Sequence, residues 1–106
     1  MSSTKKKRKS QYTAEQKFDY HMARTNDLTL SKNKRIYSEN WVRGFIDAHA
    51  DNNLRAAQEE YNRNKKYMDS TGKAIYQGNI NGLKTAVKDK EAAYKVRYHL
   101  AYDWRK

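Results

Sequence analysis

The sequence has no cysteine among its 106 residues, which excludes both a disulfide framework and a thiolate metal site. It has only four glycines, and they do not form the glycine-rich loop that cradles phosphate groups. No apolar run is long enough to span a bilayer, and no apolar stretch of the kind found in secretory signals follows the cationic first residues. We therefore expect a cytoplasmic protein that does not bind membranes.

Side chains that could support catalysis also lack a recognisable arrangement. His21, His49 and His99 lie in separate segments, and none belongs to a cluster with metal-ligand spacing. The stretch Ser70–Lys73 resembles part of a phosphate-binding turn, but the preceding strand and the glycine spacing are missing. We expect neither enzymatic activity nor a metal or cofactor.

Positive charge is abundant and unevenly distributed. The net charge is +11 at neutral pH, and three zones carry most of it: residues 1–12, 32–37 and 73–106. Mildly acidic stretches separate these zones. A surface polarised in this way favours a polyanionic partner, and nucleic acid, either DNA or RNA, is the first candidate.

Residues 1–11 are polar, basic and low in complexity, so they are predicted to form a disordered arm. Such a dense run of cations can neutralise phosphates and release counterions, although it can also act only as a solubilising tail. The run also resembles the core of a nuclear localisation signal. The candidate phosphate-binding residues of the arm are Lys5, Lys6, Lys7, Arg8 and Lys9.

The rest of the chain, residues 12–106, is predicted to be a single all-α domain. Thr13 and Gln16 form a capping-box pattern that begins a helix of about three turns. A second helix is expected to begin at Ser38, and a third to run from Leu54 to about residue 69, after an Asp-Asn-Asn cap. The segment between the first two helices is expected to be an ordered loop, with a small hairpin as the alternative, because an isolated two-stranded hairpin is barely stable.

A long C-terminal helix is predicted over roughly residues 73–104, after a stop at residues 70–72 with Gly72 in the left-handed conformation. Gly78 and Gly82 share one face of this helix, so we expect another backbone to approach closely there. We expect a small domain of three to four helices, in which the long helix packs against residues 54–69 as an antiparallel hairpin.

Two apolar stripes are expected on this C-terminal helix. The first includes Tyr76, Ile80, Leu83 and Val87 and continues through Tyr94 and Tyr98. The second, on the opposite side, suggests a homodimer, because a helix that is apolar on two faces usually contacts two partners. Its members are Val96, Leu100 and Trp104.

Basic residues interleaved with tyrosines suit a nucleic-acid groove, where cations hold the backbone and rings stack on bases. The tyrosines could equally be core residues with their hydroxyls at the rim. A helix-turn-helix with Asn52 and Asn53 at its reading end is a further alternative, which the acidic turn disfavours. Beyond the arm, the candidate nucleic-acid-binding residues are Lys32, Lys34, Arg35, Lys84, Lys88, Lys95, Arg97, Tyr94 and Tyr98.

The stretches "YSENWVRGFIDAHADNN" (37–53) and "GKAIYQGNINGLKTA" (72–86) resemble small uncharacterised basic proteins encoded by bacteriophages. The resemblance implies an accessory protein that acts in the cytoplasm of a bacterial host, where a nuclear signal has no use. Our hypothesis is a non-catalytic nucleic-acid binder. The alternative is an inhibitor directed at a host nucleic-acid-processing protein, of the anti-CRISPR or polymerase-inhibitor type.

Overall fold

The structure is a computed structural model that describes residues 12–104, and the side chains of residues 12–101. The predicted disordered arm, residues 1–11, lies outside the described residues. The all-α prediction is confirmed for the described part, which has no strand. It contains five α-helices and a 3₁₀ turn at Lys65–Tyr67, rather than three to four helices: α1 (Ala14–Thr25), α2 (Lys32–Phe45), α3 (Ala50–Asn64), α4 (Ser70–Lys88) and α5 (Lys90–Trp104).

The first helix begins where the capping box predicted. The Thr13 hydroxyl accepts a hydrogen bond from the Gln16 backbone N–H, and the Gln16 side chain accepts one from the Thr13 N–H. This reciprocal pair satisfies two N–H groups that the helix itself cannot reach. The capping box therefore fixes the start of α1.

The predicted start of the second helix at Ser38 is wrong. The Ser31 hydroxyl accepts from the Lys34 backbone N–H at 3.3 Å, so the polar residues that follow Ser31 form the first turn of α2. Ser38 lies seven residues further on and is fully buried. Ser31 and Ser38 are both residues of the type that caps helix N-termini. Their roles differ because the packing of α2 buries Ser38 in the middle of the helix.

Two boundaries around α3 also differ from prediction. This helix begins at Ala50 rather than Leu54, and His49 occupies the N-cap position without a side-chain bond. The predicted stop at residues 70–72 is instead the first turn of α4, because the Asp69 carboxylate accepts from the Gly72 N–H at 2.8 Å. No glycine among the described residues has a positive φ.

The predicted long C-terminal helix is interrupted at Asp89. The backbone there leaves helical geometry (φ −135°, ψ 76°), and the Asp89 carboxylate caps α5 by accepting from the Ala92 N–H at 3.1 Å. The break shifts the helical register, so Val96 is buried whereas Tyr94 and Tyr98 are 63% and 57% exposed. The prediction that these two tyrosines continue the buried stripe of α4 is therefore wrong.

The closest helix pair is α2 and α4, and three glycines allow it. A Cβ at Gly78 would collide with the Tyr37 carbonyl, one at Gly82 with the Trp41 carbonyl, and one at Gly44 with the Asn79 carbonyl. Tyr37 faces Gly78 and Trp41 faces Gly82, so α2 and α4 run parallel. The intervening helix α3 returns the chain from the end of α2 to the start of α4. The predicted approach of another backbone is confirmed, and it occurs within the chain.

The core is shared by all five helices. Phe45 and Leu83 are almost inaccessible at 0% and 1% exposed, and the Phe18 ring lies 5.8 Å from that of Phe45. On the other side of α4, Gln77 donates to the Tyr61 hydroxyl, as expected for the hairpin with α3. None of the helices within residues 12–104 is both long and apolar enough to cross a membrane.

Candidate nucleic-acid interface

A groove of about 430 Å³ lies where α1, α2 and α4 meet, and we call it the α1–α2–α4 groove. Each helix contributes residues spaced three or four apart, so each presents one face. The residues that line the groove are Tyr12, Lys17, Tyr20, His21, Tyr37, Trp41, Asn81, Lys84, Thr85 and Lys88.

Aromatic rings form the floor of this groove. The His21 ring stacks on the Trp41 indole at 4.4 Å between centroids and 24° between planes, and Trp41 in turn stacks on Phe45 at 5.2 Å. Trp41 is only 3% exposed, so it supports the floor rather than offering a free face. The stack connects the groove directly to the core and makes its floor rigid.

A partly buried polar contact centred on Ser38 fixes α1 against α2 next to the groove. The Ser38 hydroxyl accepts from Arg24 Nε at 3.1 Å and lies 2.9 Å from His21 Nδ1. A second Arg24 nitrogen donates to the Tyr20 hydroxyl at 3.0 Å, and its guanidinium lies 5.1 Å from the centre of that ring. Ser38 and Arg24 therefore position both His21 and Tyr20.

The α4 wall is polar and also fixed in place. Asn81 donates from its amide to the Tyr37 hydroxyl at 2.7 Å, which links the walls formed by α2 and α4. Thr85 uses its hydroxyl to donate to the Asn81 carbonyl at 2.9 Å. These bonds orient Tyr37 before any ligand arrives.

Three lysines stand along the groove, and no carboxylate is among the lining residues within the described part of the chain. Lys17 belongs to α1, whereas Lys84 and Lys88 lie one turn apart on α4 and are exposed. Ammonium groups that are not neutralised by nearby acids can contact phosphate directly. The combination of cations and rings suits a ligand that carries both negative charge and flat apolar surface.

Two further hollows adjoin this groove. One shares Asn81 and Lys84 with it and is lined on its far side by α3 residues, including Tyr61. The other shares Tyr37 and contains Lys34. The concave surface thus extends beyond the groove on two sides of α4.

The predicted basic residues of α2 and α4 are brought together only in part. Lys84 and Lys88 line the groove, Lys34 lies in an adjoining hollow, and Lys32 is exposed at the first residue of α2. Arg35 is half-buried, and its Nε is sealed from solvent with no hydrogen-bond partner among the described residues. That nitrogen is not positioned for a surface phosphate contact.

The predicted residues of α5 do not line the groove. Lys95 lies 3.9 Å from the Glu15 carboxylate, and Arg97 lines a small hollow beside Asp47 and Asp51. Acids near both cations reduce their attraction for phosphate. Tyr94 and Tyr98 are exposed rather than part of the core, as the stacking hypothesis requires. The arm residues Lys5–Lys9 lie outside the described part of the chain.

Sequence reasoning missed most of the groove, because only Lys84 and Lys88 among its described lining residues were predicted to bind nucleic acid. Lys17, Tyr20 and His21 were not recognised as a set, although their spacing of three and four residues places them on one helical face. Tyr37 and Trp41 repeat the pattern on α2. The spacing could have shown each face separately, but not that the two faces meet at α4.

The turn before α3 is less suited to nucleic-acid binding than the groove, although the helix-turn-helix alternative would place base-reading residues there. Asp47 accepts from the Asn53 amide at 2.6 Å and from the His49 backbone N–H at 2.8 Å, so Asn53 is engaged in the turn itself. Within the described residues, no group of three or more His, Cys, Asp or Glu side chains could hold a metal ion.

No protein-family model, curated protein or solved structure matches this chain, so the geometry of the groove carries the functional argument.

Proposed function

We propose that this protein binds nucleic acid without catalysing a reaction, as an accessory protein of a bacteriophage. The α1–α2–α4 groove would hold the phosphate backbone, and the basic arm would add sequence-independent affinity. The observation that carries the proposal is the convergence of Lys17, Lys84 and Lys88 on a ring-lined groove that no carboxylate of residues 12–101 lines.

The arm is joined to the chain beside this groove. Tyr12, the first described residue, lines the groove, and the five consecutive cations at Lys5–Lys9 precede it by a few residues. Only Ser10 and Gln11 separate Lys9 from Tyr12. The cations of the arm therefore remain within reach of a phosphate chain that occupies the groove. Arm and groove would therefore contact the same strand.

The α5 face has a smaller part in this proposal. Tyr94 and Tyr98 offer exposed rings, but Lys95 faces Glu15 and Arg97 lies near two aspartates. We assign the main phosphate contacts to α4 and α1, and we expect substitutions of Lys95 and Arg97 to weaken binding less than those of Lys84 and Lys88.

The proposal is tested with the double variant Lys84→Gln/Lys88→Gln, which removes two groove cations and keeps good helix-forming side chains. The matched control, Lys66→Gln/Lys73→Gln, loses the same charge at exposed positions that do not line the groove. Binding to labelled DNA and RNA is measured by fluorescence anisotropy at about 50 and 200 mM salt. Circular dichroism verifies that both variants are folded.

The proposal expects binding at low salt that falls steeply as salt is raised, and a larger loss in the groove variant than in its control. Absence of any complex at low salt would refute it. Capture of a host protein that survives nuclease treatment, with no binding to purified DNA or RNA, would instead support the inhibitor hypothesis.

A further inference from the structure

We infer that the α1–α2–α4 groove takes a single strand, with one unpaired base against its rings, in preference to a duplex. This inference rests on the proposed function and specifies its ligand. A duplex presents its phosphates but keeps the faces of its bases stacked inside, whereas an unpaired base can leave the strand and stack on a protein ring.

The size of the groove favours one nucleotide. Its volume of about 430 Å³ is near the lower end of the roughly 300–1,000 Å³ typical of small-ligand sites. It is a recess between three helices, and recognition of a duplex groove requires the opposite shape, an element that projects from the protein. A recess of this size can enclose a base but cannot follow a double helix.

The rings at its rim are already held in place. Tyr20 is 40% exposed, and the hydrogen bond and guanidinium contact from Arg24 fix its orientation. Tyr37 is half-buried and is fixed by Asn81. Because their orientation is set without a ligand, little side-chain freedom is lost when a base arrives.

Cations lie on both sides of these rings. Lys17 stands on the α1 wall, whereas Lys84 and Lys88 stand on the α4 wall. A strand that crosses the groove can place phosphates near both walls while the base between them turns inward. The arrangement of charge, ring and charge matches a nucleotide with its flanking phosphates.

A preference for single strands over duplex is the opposite of what binding by charge alone predicts, so the comparison separates the two explanations. Duplex DNA carries about one negative charge per 1.7 Å, more than a single strand of equal length, so a protein that used charge alone would favour duplex. The experiment measures anisotropy with four labelled probes of equal length: single-stranded DNA, single-stranded RNA, duplex DNA and abasic single-stranded DNA.

We expect at least one of the two base-bearing single strands to bind about fivefold or more tightly than both the duplex and the abasic strand, as the loss of one base–ring stack implies. Tyr20→Leu should lower affinity for that strand about fivefold and leave the abasic strand unchanged. The control Tyr67→Leu, at a ring that is 77% exposed and does not line the groove, should change neither.

Equal or tighter binding of the duplex would overturn the inference while leaving the proposed function standing, and so would equal binding of the abasic strand. Loss of affinity for the abasic strand in Tyr20→Leu would show that the ring supports the fold rather than a base, and would also overturn it. Failure of all four probes to bind at low salt would remove the proposed function itself.

Discussion

Gly82→Ala tests the helix contact on which the groove is built. A Cβ at Gly82 would meet the Trp41 carbonyl oxygen inside van der Waals contact, and would lie 2.8 Å from the Trp41 carbonyl carbon and 3.0 Å from the Phe45 nitrogen. All three are backbone atoms of α2, so no side-chain rotation relieves the clash. The added methyl group must push α2 and α4 apart.

The expected cost follows from two opposing effects. Overpacking a tight interface typically lowers the free energy of unfolding by about 1–3 kcal/mol. Because rigid backbone lies on both sides of Gly82, we expect a loss near the upper limit of that range. Alanine recovers about 1 kcal/mol, because it is a better helix former than glycine. The net loss is about 2 kcal/mol, which corresponds to a fall in Tm of roughly 10 °C for a domain of this size.

Thermal and urea unfolding followed by circular dichroism measure this loss. Gly72→Ala is the matched control on the same helix, because its Cβ would meet only side-chain atoms, the nearest being an Asp69 carboxylate oxygen at 3.3 Å and Met68 Cβ at 3.4 Å. We expect that control to be at least as stable as the parent, because alanine brings the same gain in helix propensity there without a clash against backbone atoms. If Gly82→Ala were as stable as Gly72→Ala, the close packing of α2 on α4 would be wrong.

Two further substitutions test the break before α5 and the polar contact beneath the groove. Asp89→Ala removes the cap of α5 and should cost about 1 kcal/mol in the same unfolding assay, whereas a gain in stability and helix content would mean that α4 and α5 form one helix. Ser38→Ala removes the buried hydroxyl that Arg24 Nε and His21 both contact and should cost about 1–3 kcal/mol. The exposed serine variant Ser70→Ala is its control, and an equal effect of the two would contradict the buried contact.

Local signals in the sequence were reliable where a few neighbouring residues decide the outcome. The Thr13–Gln16 capping box gave the start of α1, and Gly78 with Gly82 predicted a close backbone contact. Each inference needs only the chemistry of a few neighbouring residues. The sequence could not say which backbone approaches the glycines, because that depends on how α3 returns the chain.

Predictions failed where two local solutions were nearly equal. Ser31 and Ser38 both suit an N-cap, and the burial of Ser38 against α1 is a tertiary effect. A continuous helix through Asp89 fits the periodicity, but an aspartate can also cap a new helix, and Tyr94 and Tyr98 are then exposed. The groove needed faces from three helices, so only Lys84 and Lys88 among its lining residues were predicted to bind nucleic acid.

The salt dependence of binding tests the central claim most directly. For the parent, the Lys84→Gln/Lys88→Gln variant and the Lys66→Gln/Lys73→Gln control, the logarithm of the binding constant is measured against the logarithm of salt concentration. If both groove lysines contact phosphates, the steepness falls by about 0.7–0.9 for each, and thus by about 1.4–1.8 in the groove variant alone. Equal slopes for the groove variant and its control would contradict the proposal that the α1–α2–α4 groove holds the nucleic acid.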